Sequence, residues 1–283
     1  MNKQKEIIEC DKFIKEFILR ARNFIESSCY QYGKYKYAIT HEPDADFISD
    51  FQYFVFTKST KSLESIKALL KIGHTEDVFI LARTMLEGYL ASRYIAEKYD
   101  DSFVRDFIIT PQLITQRKII YEKGEARIRE TNEIIEYLQR NPSEMKLGKD
   151  RKYFVDLYDF LCKFAHCNFS TLYYYIDNND RYTCDNITNA YIARIIVLFI
   201  YTKLFENIVT VEGEDFLSEK EEEKCYKLVE NSTKFLYEQL EYFSKFNSKN
   251  VGSELNKHMR AMFKDMKKSL TEGLGSVNKD FLR

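Results

Sequence analysis

The chain has 283 residues, enough for one large domain or two small ones, and its 45% apolar content excludes a wholly disordered protein. Only 9 glycines and 3 prolines interrupt it, which disfavours turn-rich sheet architectures and favours long helices. The net charge of −1 leaves no protein-wide basic field to hold nucleic acid, so any such site has to be local.

Apolar residues recur at helical spacing from Lys3 to Cys29. The connector QYGKYKYAITHEPDAD follows, and Pro43 with Asp44 opens a second helix that runs to Ile72 and ends at Gly73. The next helix begins at His74 or Thr75 and is broken by KYDDS, residues 98–102. A fourth is expected from Phe103, kinked or stopped near Pro111, and a further helix over Glu125–Arg140. NPSEMKLGKD is a loop, Arg151–His166 a short helix, and CNFSTLYYYIDNNDRYTCDN a long aromatic and polar segment of a length often tied to function.

A buried helix is expected over Thr188–Thr210. Its run IARIIVLFIYTKLF is interrupted by Arg194 and Lys203 and falls short of a bilayer span. Ser218 with Glu221 fits a capping box before a charged helix to Phe246. Residues 247–253 look like a hinge, and a last helix follows from Glu254 to Glu272. There is no repeat, no low-complexity tract and no alternating strand pattern, so the expected fold is all-α, a multi-helix bundle occupying residues 1–246 with a C-terminal amphipathic, basic helix over 254–283. On that last helix Met259, Met262, Phe263, Met266 and Leu270 form one stripe, and Lys257, Arg260, Lys264, Lys267 and Lys268 form the opposite face. Such a stripe is expected either to pack on its own bundle or to dock on another protomer or a partner protein.

The first residues, MNKQKEIIECDKF, carry charges throughout and no signal-like apolar stretch, and the six cysteines (Cys10, Cys29, Cys162, Cys167, Cys184, Cys225) contain no C-x-x-C pair. A cytoplasmic location is expected. Cys162, His166, Cys167 and Cys184 meet no zinc spacing, and phosphate-loop, dinucleotide, zincin and hydrolase motifs are absent, so no metal or cofactor is expected.

Two places carry candidate chemistry. In EDVFILARTMLEGYLASRYIAE, Arg83 falls in the middle of an apolar stripe, with Phe79, Leu86, Leu90 and Tyr94 within about 60° of it on a helical wheel. Glu87 stands one turn later. An exposed pair of this kind contributes only a few tenths of a kcal/mol, roughly, and a buried one costs more to desolvate than it returns, so a pair on this stripe points to a site. His166 is the other. It lies off its helix's apolar face (Phe154, Leu157, Leu161, Phe164), beside Asp159 and Lys163, at the mouth of the long loop. It is either a histidine favoured by the helix dipole or a general acid–base. Tyr173, Tyr174, Tyr175 and Tyr182 are either base-stacking groups or packing.

Together GHTEDVFILARTMLEGYLASRYI and YDFLCKFAHCNFS resemble a bacterial family of helical proteins of unknown function, itself similar to HEPN domains. The resemblance implies a HEPN-like helical core over about 46–210 and metal-independent RNA cleavage of the kind used by toxins and by antiviral, abortive-infection systems. It also implies RNA as substrate, a partner protein from the same defence system, and a homo-oligomer. HEPN ribonucleases usually carry Arg-x(4–6)-His, which none of the four histidines here completes. The resemblance then implies that Arg83, oriented by Glu87, stabilises charge on phosphate while His166 moves the proton. Asp159, Lys163, Asn168 and Tyr174 would contact substrate. The other reading is a non-enzymatic helical module that binds a nucleotide signal or a partner protein.

Overall fold

The computed structural model describes residues 3–27, 45–98, 102, 106–107, 110–122, 125–135, 140–148, 150–166, 168–177, 179–184, 190–245 and 253–270. Among them the helices are α1 (Lys3–Ser27), α2 (Ala45–Ile72), α3 (Thr75–Lys98), α4 (Thr110–Thr115), α5 (Asp150–Ala165), α6 (Ala190–Phe216), α7 (Glu219–Ser244) and α8 (Ser253–Leu270). A small antiparallel sheet runs β1 (Ile119–Glu122), β2 (Glu125–Ile128), β3 (Ile134–Ile135), in that order. The protein is therefore all-α in its bulk, and no described helix is long and apolar enough to cross a membrane.

α6 is apolar all round, and a helix of that kind has to be central. Seven consecutive residues, Ile195–Tyr201, are each at most 1% exposed. α1, α2, α3 and α7 pack around it. Its few polar groups are tied to neighbours: Thr202 to Ser232 at 2.6 Å, Tyr201 to Thr60 at 2.6 Å, and the buried Arg194 to Asp11 at 2.7 Å. α3 is the second inner helix, touching α2, α5 and α6, with Val78, Phe79, Ala82, Leu86 and Leu90 fully buried.

α2 and α3 form a helical hairpin because Gly73 takes a left-handed φ of 89°, open to glycine at little cost. The amides of Gly73 and His74 both return to the Leu69 carbonyl, at 2.9 and 3.1 Å, and α3 starts two residues later. Of the expected capping box the N-cap half forms, with Ser218 Oγ accepting from the Glu221 amide at 3.4 Å, while the Glu221 carboxylate pairs with Arg20 and Lys224.

The described part of the segment expected as a helix over Glu125–Arg140 is not helical: Glu125–Ile128 and Ile134–Ile135 are strands joined by a turn. Its glutamates and arginines have good helix propensity, but they leave no apolar stripe to bury. Ile119, Ile120 and Tyr121 suit a pleated surface, and β1 pairs antiparallel with β2 from Ile119–Ile128 to Glu122–Glu125. Arg117 and Asn132 both adopt φ of 57° at the sheet's corners, and Asn tolerates that region. Pro111 stands in the first turn of α4, where its missing amide proton is not needed. The Phe103 start expected for that helix lies outside the described residues.

α8 settles against its own bundle. Met262, Phe263 and Met266 are at most 2% exposed, packed on α7 and α5, with the Phe263 and Phe243 ring centroids 5.1 Å apart. Lys267 pairs with Glu241 and stands 4.2 Å from the Tyr237 ring centroid. Of the two uses expected for the stripe, these contacts are those of packing on its own bundle. Lys257, Lys264 and Lys268 remain exposed. Of the expected hinge, residues 247–252 lie outside the described residues and Ser253 is the first residue of α8.

Candidate functional site

The Arg83–Glu87 pair is real, and α5 completes it. Arg83 Nε donates to Glu87 Oε1 at 3.0 Å, and Arg83 Nη2 donates to Tyr158 Oη at 3.1 Å. Tyr158 Oη in turn donates to the same Glu87 oxygen at 2.9 Å, closing a three-membered ring of hydrogen bonds. The guanidinium also lies 5.2 Å from the Tyr158 ring centroid. Side-chain exposures of 22% for Arg83 and 33% for Glu87 place the pair at the wall of a cleft and not in the dry core. Burial, together with the hydrogen bond to Glu87 and its charge, pushes the Tyr158 phenol up to about 12 against the opposing pull of Arg83. Tyr158 therefore stays protonated at neutral pH and acts as a hydrogen-bond donor, not as a base. Burial likewise raises the half-buried Cys162 thiol next along α5.

This ring lines a cavity of about 680 Å³ between α2, α3, α5 and the segment around Arg140–Met145. α2 contributes Phe51, Phe54, Lys58, Ser59 and Ser62. Phe107 and Arg140 close the far wall. Arg140 is held by Asp106 at 2.8 Å and Ser102 at 2.7 Å, and the Asp106 side chain is 1% exposed. Three cations and one carboxylate, Glu87, line the space. Lys58 sits 5.9 Å from the Phe54 ring centroid and forms no ion pair among the described residues.

The other candidates lie elsewhere. His166 is exposed, two turns beyond Tyr158 and so roughly 12 Å farther by the helical rise. Its side chain has no hydrogen bond or ion pair among the described residues. Asp159 is exposed and Lys163 half-buried. Asn168 caps a short 3-10 helix by accepting from the Ser170 amide at 3.0 Å. Tyr174 is 8% exposed, with ring centroids 5.0 Å from Phe164 and 6.4 Å from Phe79, a packing position. None of these five lines the cavity. Arg83 and Glu87 are brought together; His166 is not brought to them.

Sequence reasoning missed Tyr158, Lys58 and Arg140. Tyr158 borders its helix's apolar face and opens the YDFLCKFAHCNFS motif, which was the available signal. Nothing local marks Arg140, whose place depends on the sheet. At the first turn of α3, His74, Glu76 and Asp77 bring ligand atoms within 4.8 Å of one another. That end of a helix carries the positive end of the dipole, which favours the carboxylates themselves and opposes a cation.

A second charged cluster is buried below the cavity. Asp150, fully buried at the start of α5, accepts from Tyr153 at 2.7 Å and Tyr89 at 3.2 Å, pairs with Arg93, and lies 3.6 Å from Lys203. Lys203 in turn is 5.7–5.8 Å from the ring centroids of Tyr89, Tyr153 and Phe199. Lys203 is 7% exposed and Arg93 runs on to Glu97 at the surface, so the cluster reads as a tie between α3, α5 and α6.

Gly88 forms part of the cavity floor, where α3 meets α2. A Cβ there would stand 3.0 Å from Val55 Cγ1 and 3.8 Å from Ser59 Oγ. Val55 is buried and stiff at χ1, so it yields little. Alanine gains about 1 kcal/mol of helix propensity, while overpacking costs about 1–3 kcal/mol. Gly88→Ala is therefore expected to lose about 1 kcal/mol net in urea denaturation. A variant more stable than the parent would show that α2 slides away freely.

A family of unknown function (DUF5677) matches residues 53–183, just under half of the chain. The match encloses every residue named above for the cavity except Phe51. Neither the curated proteins nor the solved structures yield a match.

Proposed function

We propose that the cavity holds a small phosphorylated ligand of the nucleotide class, and that the protein is a helical ligand-binding module. The observation that carries this reading is the half-used guanidinium of Arg83. Glu87 and Tyr158 fix its Nε and Nη2, and its Nη1 has no partner among the described residues. A guanidinium held in this way has already lost the side-chain entropy that binding would cost. Lys58 adds a second positive charge, and Arg140 a third held by Asp106. Phe51, Phe54 and Phe107 offer faces for a planar base, and Ser59 and Ser62 offer hydroxyls for a sugar. The volume lies in the range usual for small-molecule sites.

RNA cleavage by this chain needs Arg83 and His166 on one phosphate. Arg83 works with Tyr158, and His166 stands exposed two turns away, so binding is the reading these positions favour.

Calorimetric titration with ADP, ATP and inorganic pyrophosphate tests it. The parent is expected to bind nucleotides more tightly than pyrophosphate, with affinity falling as salt rises. Lys58→Ala and Arg83→Gln should each weaken binding by about tenfold or more, the scale of a charge-assisted hydrogen bond. Lys58→Ala is the cleaner variant, because Lys58 belongs to no ion pair that the fold uses. Absence of nucleotide binding by the parent, or full affinity in both variants, sinks the proposal.

A further inference from the structure

A second cavity, of about 690 Å³, lies on the other flank of α2. It shares Phe54, Lys58 and Ser62 with the first. These three residues are spaced at i, i+4 and i+8, so they form one ridge on successive turns, spanning roughly 12 Å. The ridge is not sealed: Phe54 is 58% exposed, and Lys58 arches over its ring. The far cavity offers the same kinds of group as the near one, including one carboxylate. Tyr53 supplies an aromatic face, Lys61 a cation, Thr57 and Ser65 hydroxyls, and Asp50 the carboxylate.

We infer that the ligand carries two nucleotide units joined through phosphate, one unit in each cavity, with the linkage lying across the Phe54–Lys58–Ser62 ridge. This rests on the nucleotide reading of the first cavity. A mononucleotide fills one space and leaves the other empty. A dinucleotide places a base in each, stacked near Phe51 or Phe107 on one side and near Tyr53 on the other. Lys58, common to both cavities, is positioned for the bridging phosphate, with Arg83 and Lys61 on either flank. Stacking tolerates any base, and the walls that touch the bases are mainly aromatic, so the site selects length over sequence.

The same two-unit chemistry occurs in a free dinucleotide and within a single strand, and the experiment separates them. The full chain is titrated with 5′-mononucleotides, with linear 5′-phosphorylated dinucleotides and with ten-nucleotide strands, in adenine and uracil series. The parent should bind the dinucleotide about tenfold more tightly than the mononucleotide, as expected for one added stacked base. Lys61→Ala should bring dinucleotide affinity down to that of the mononucleotide. Equal affinity for the dinucleotide and the ten-nucleotide strand supports the proposal with a strand as the source. Binding of the dinucleotide but not the strand supports it with a free dinucleotide as the source. Measurable mononucleotide binding with no gain for the dinucleotide overturns this inference and leaves the first-cavity reading standing. No binding of any probe overturns both.

Discussion

Asp150→Ala is expected to remove about 3–5 kcal/mol of stability, a large part of the total for a domain of this kind. The carboxylate is fully buried and accepts from Tyr89, Tyr153 and Arg93, with Lys203 at 3.6 Å. Alanine leaves two phenols without their acceptor and Lys203 without its counter-charge, while Arg93 keeps Glu97. Lys203 is only 7% exposed, so water compensates its charge poorly. Asp150 also stands at the first residue of α5, where a carboxylate is favoured by the helix dipole, so the helix start loses as well. Urea denaturation measures the loss. A cost under about 1 kcal/mol would mean that water reaches the cluster and that the burial seen here overstates its isolation. Replacing Lys203 by methionine in the Asp150→Ala background should recover part of the loss, because it removes one orphaned charge.

The second large effect is expected at Phe79. The ring is fully buried on α3, and its centroid lies 4.6 Å from Phe164, 5.0 Å from Phe160 and 6.4 Å from Tyr174. It is the point at which α3, α5 and the 3-10 segment Phe169–Tyr174 meet. Phe79→Ala removes the transfer energy of the ring and leaves a cavity, together about 3–5 kcal/mol. The neighbouring Phe169 provides the control, since it is 77% exposed and Phe169→Ala should change stability by no more than about 0.5 kcal/mol. Thermal and urea melts on both variants check the pair. Equal effects from the two substitutions would contradict the packing described.

What the sequence made legible follows from local physics. The apolar run of α6 is too dense to be anything but buried, and Gly73 and Ser218 mark helix boundaries through their own backbone chemistry. Arg83 and Glu87 announce themselves because a charge pair on an apolar stripe needs a reason, and the structure supplies a partner in Tyr158. Legibility stops where tertiary pairing overrides propensity. The Glu-rich segment after Ile119 forms paired strands because a strand partner lies close in sequence. Asp150 reads in sequence as the last residue of a polar loop, yet it is the most deeply buried charge on α5, since its partners Arg93 and Lys203 are brought to it only by the bundle. Arg140 reads as a helix end and becomes a cavity wall. His166 is the reverse case: its residue type marks it in the sequence, while its distance from Arg83 is set by the length of α5 and cannot be read locally.

The central place of α6 sets the order in which the chain can mature. The α2–α3 hairpin is complete by Lys98, but the helix that covers it begins at Ala190. At translation speeds of about 5–20 residues per second, the inner faces of α2 and α3 wait roughly 5–20 s for that helix to leave the ribosome. Val78, Phe79, Leu86 and Leu90 are exposed to the cell during that interval, and the nascent chain has to be kept from associating through them until α6 closes the bundle.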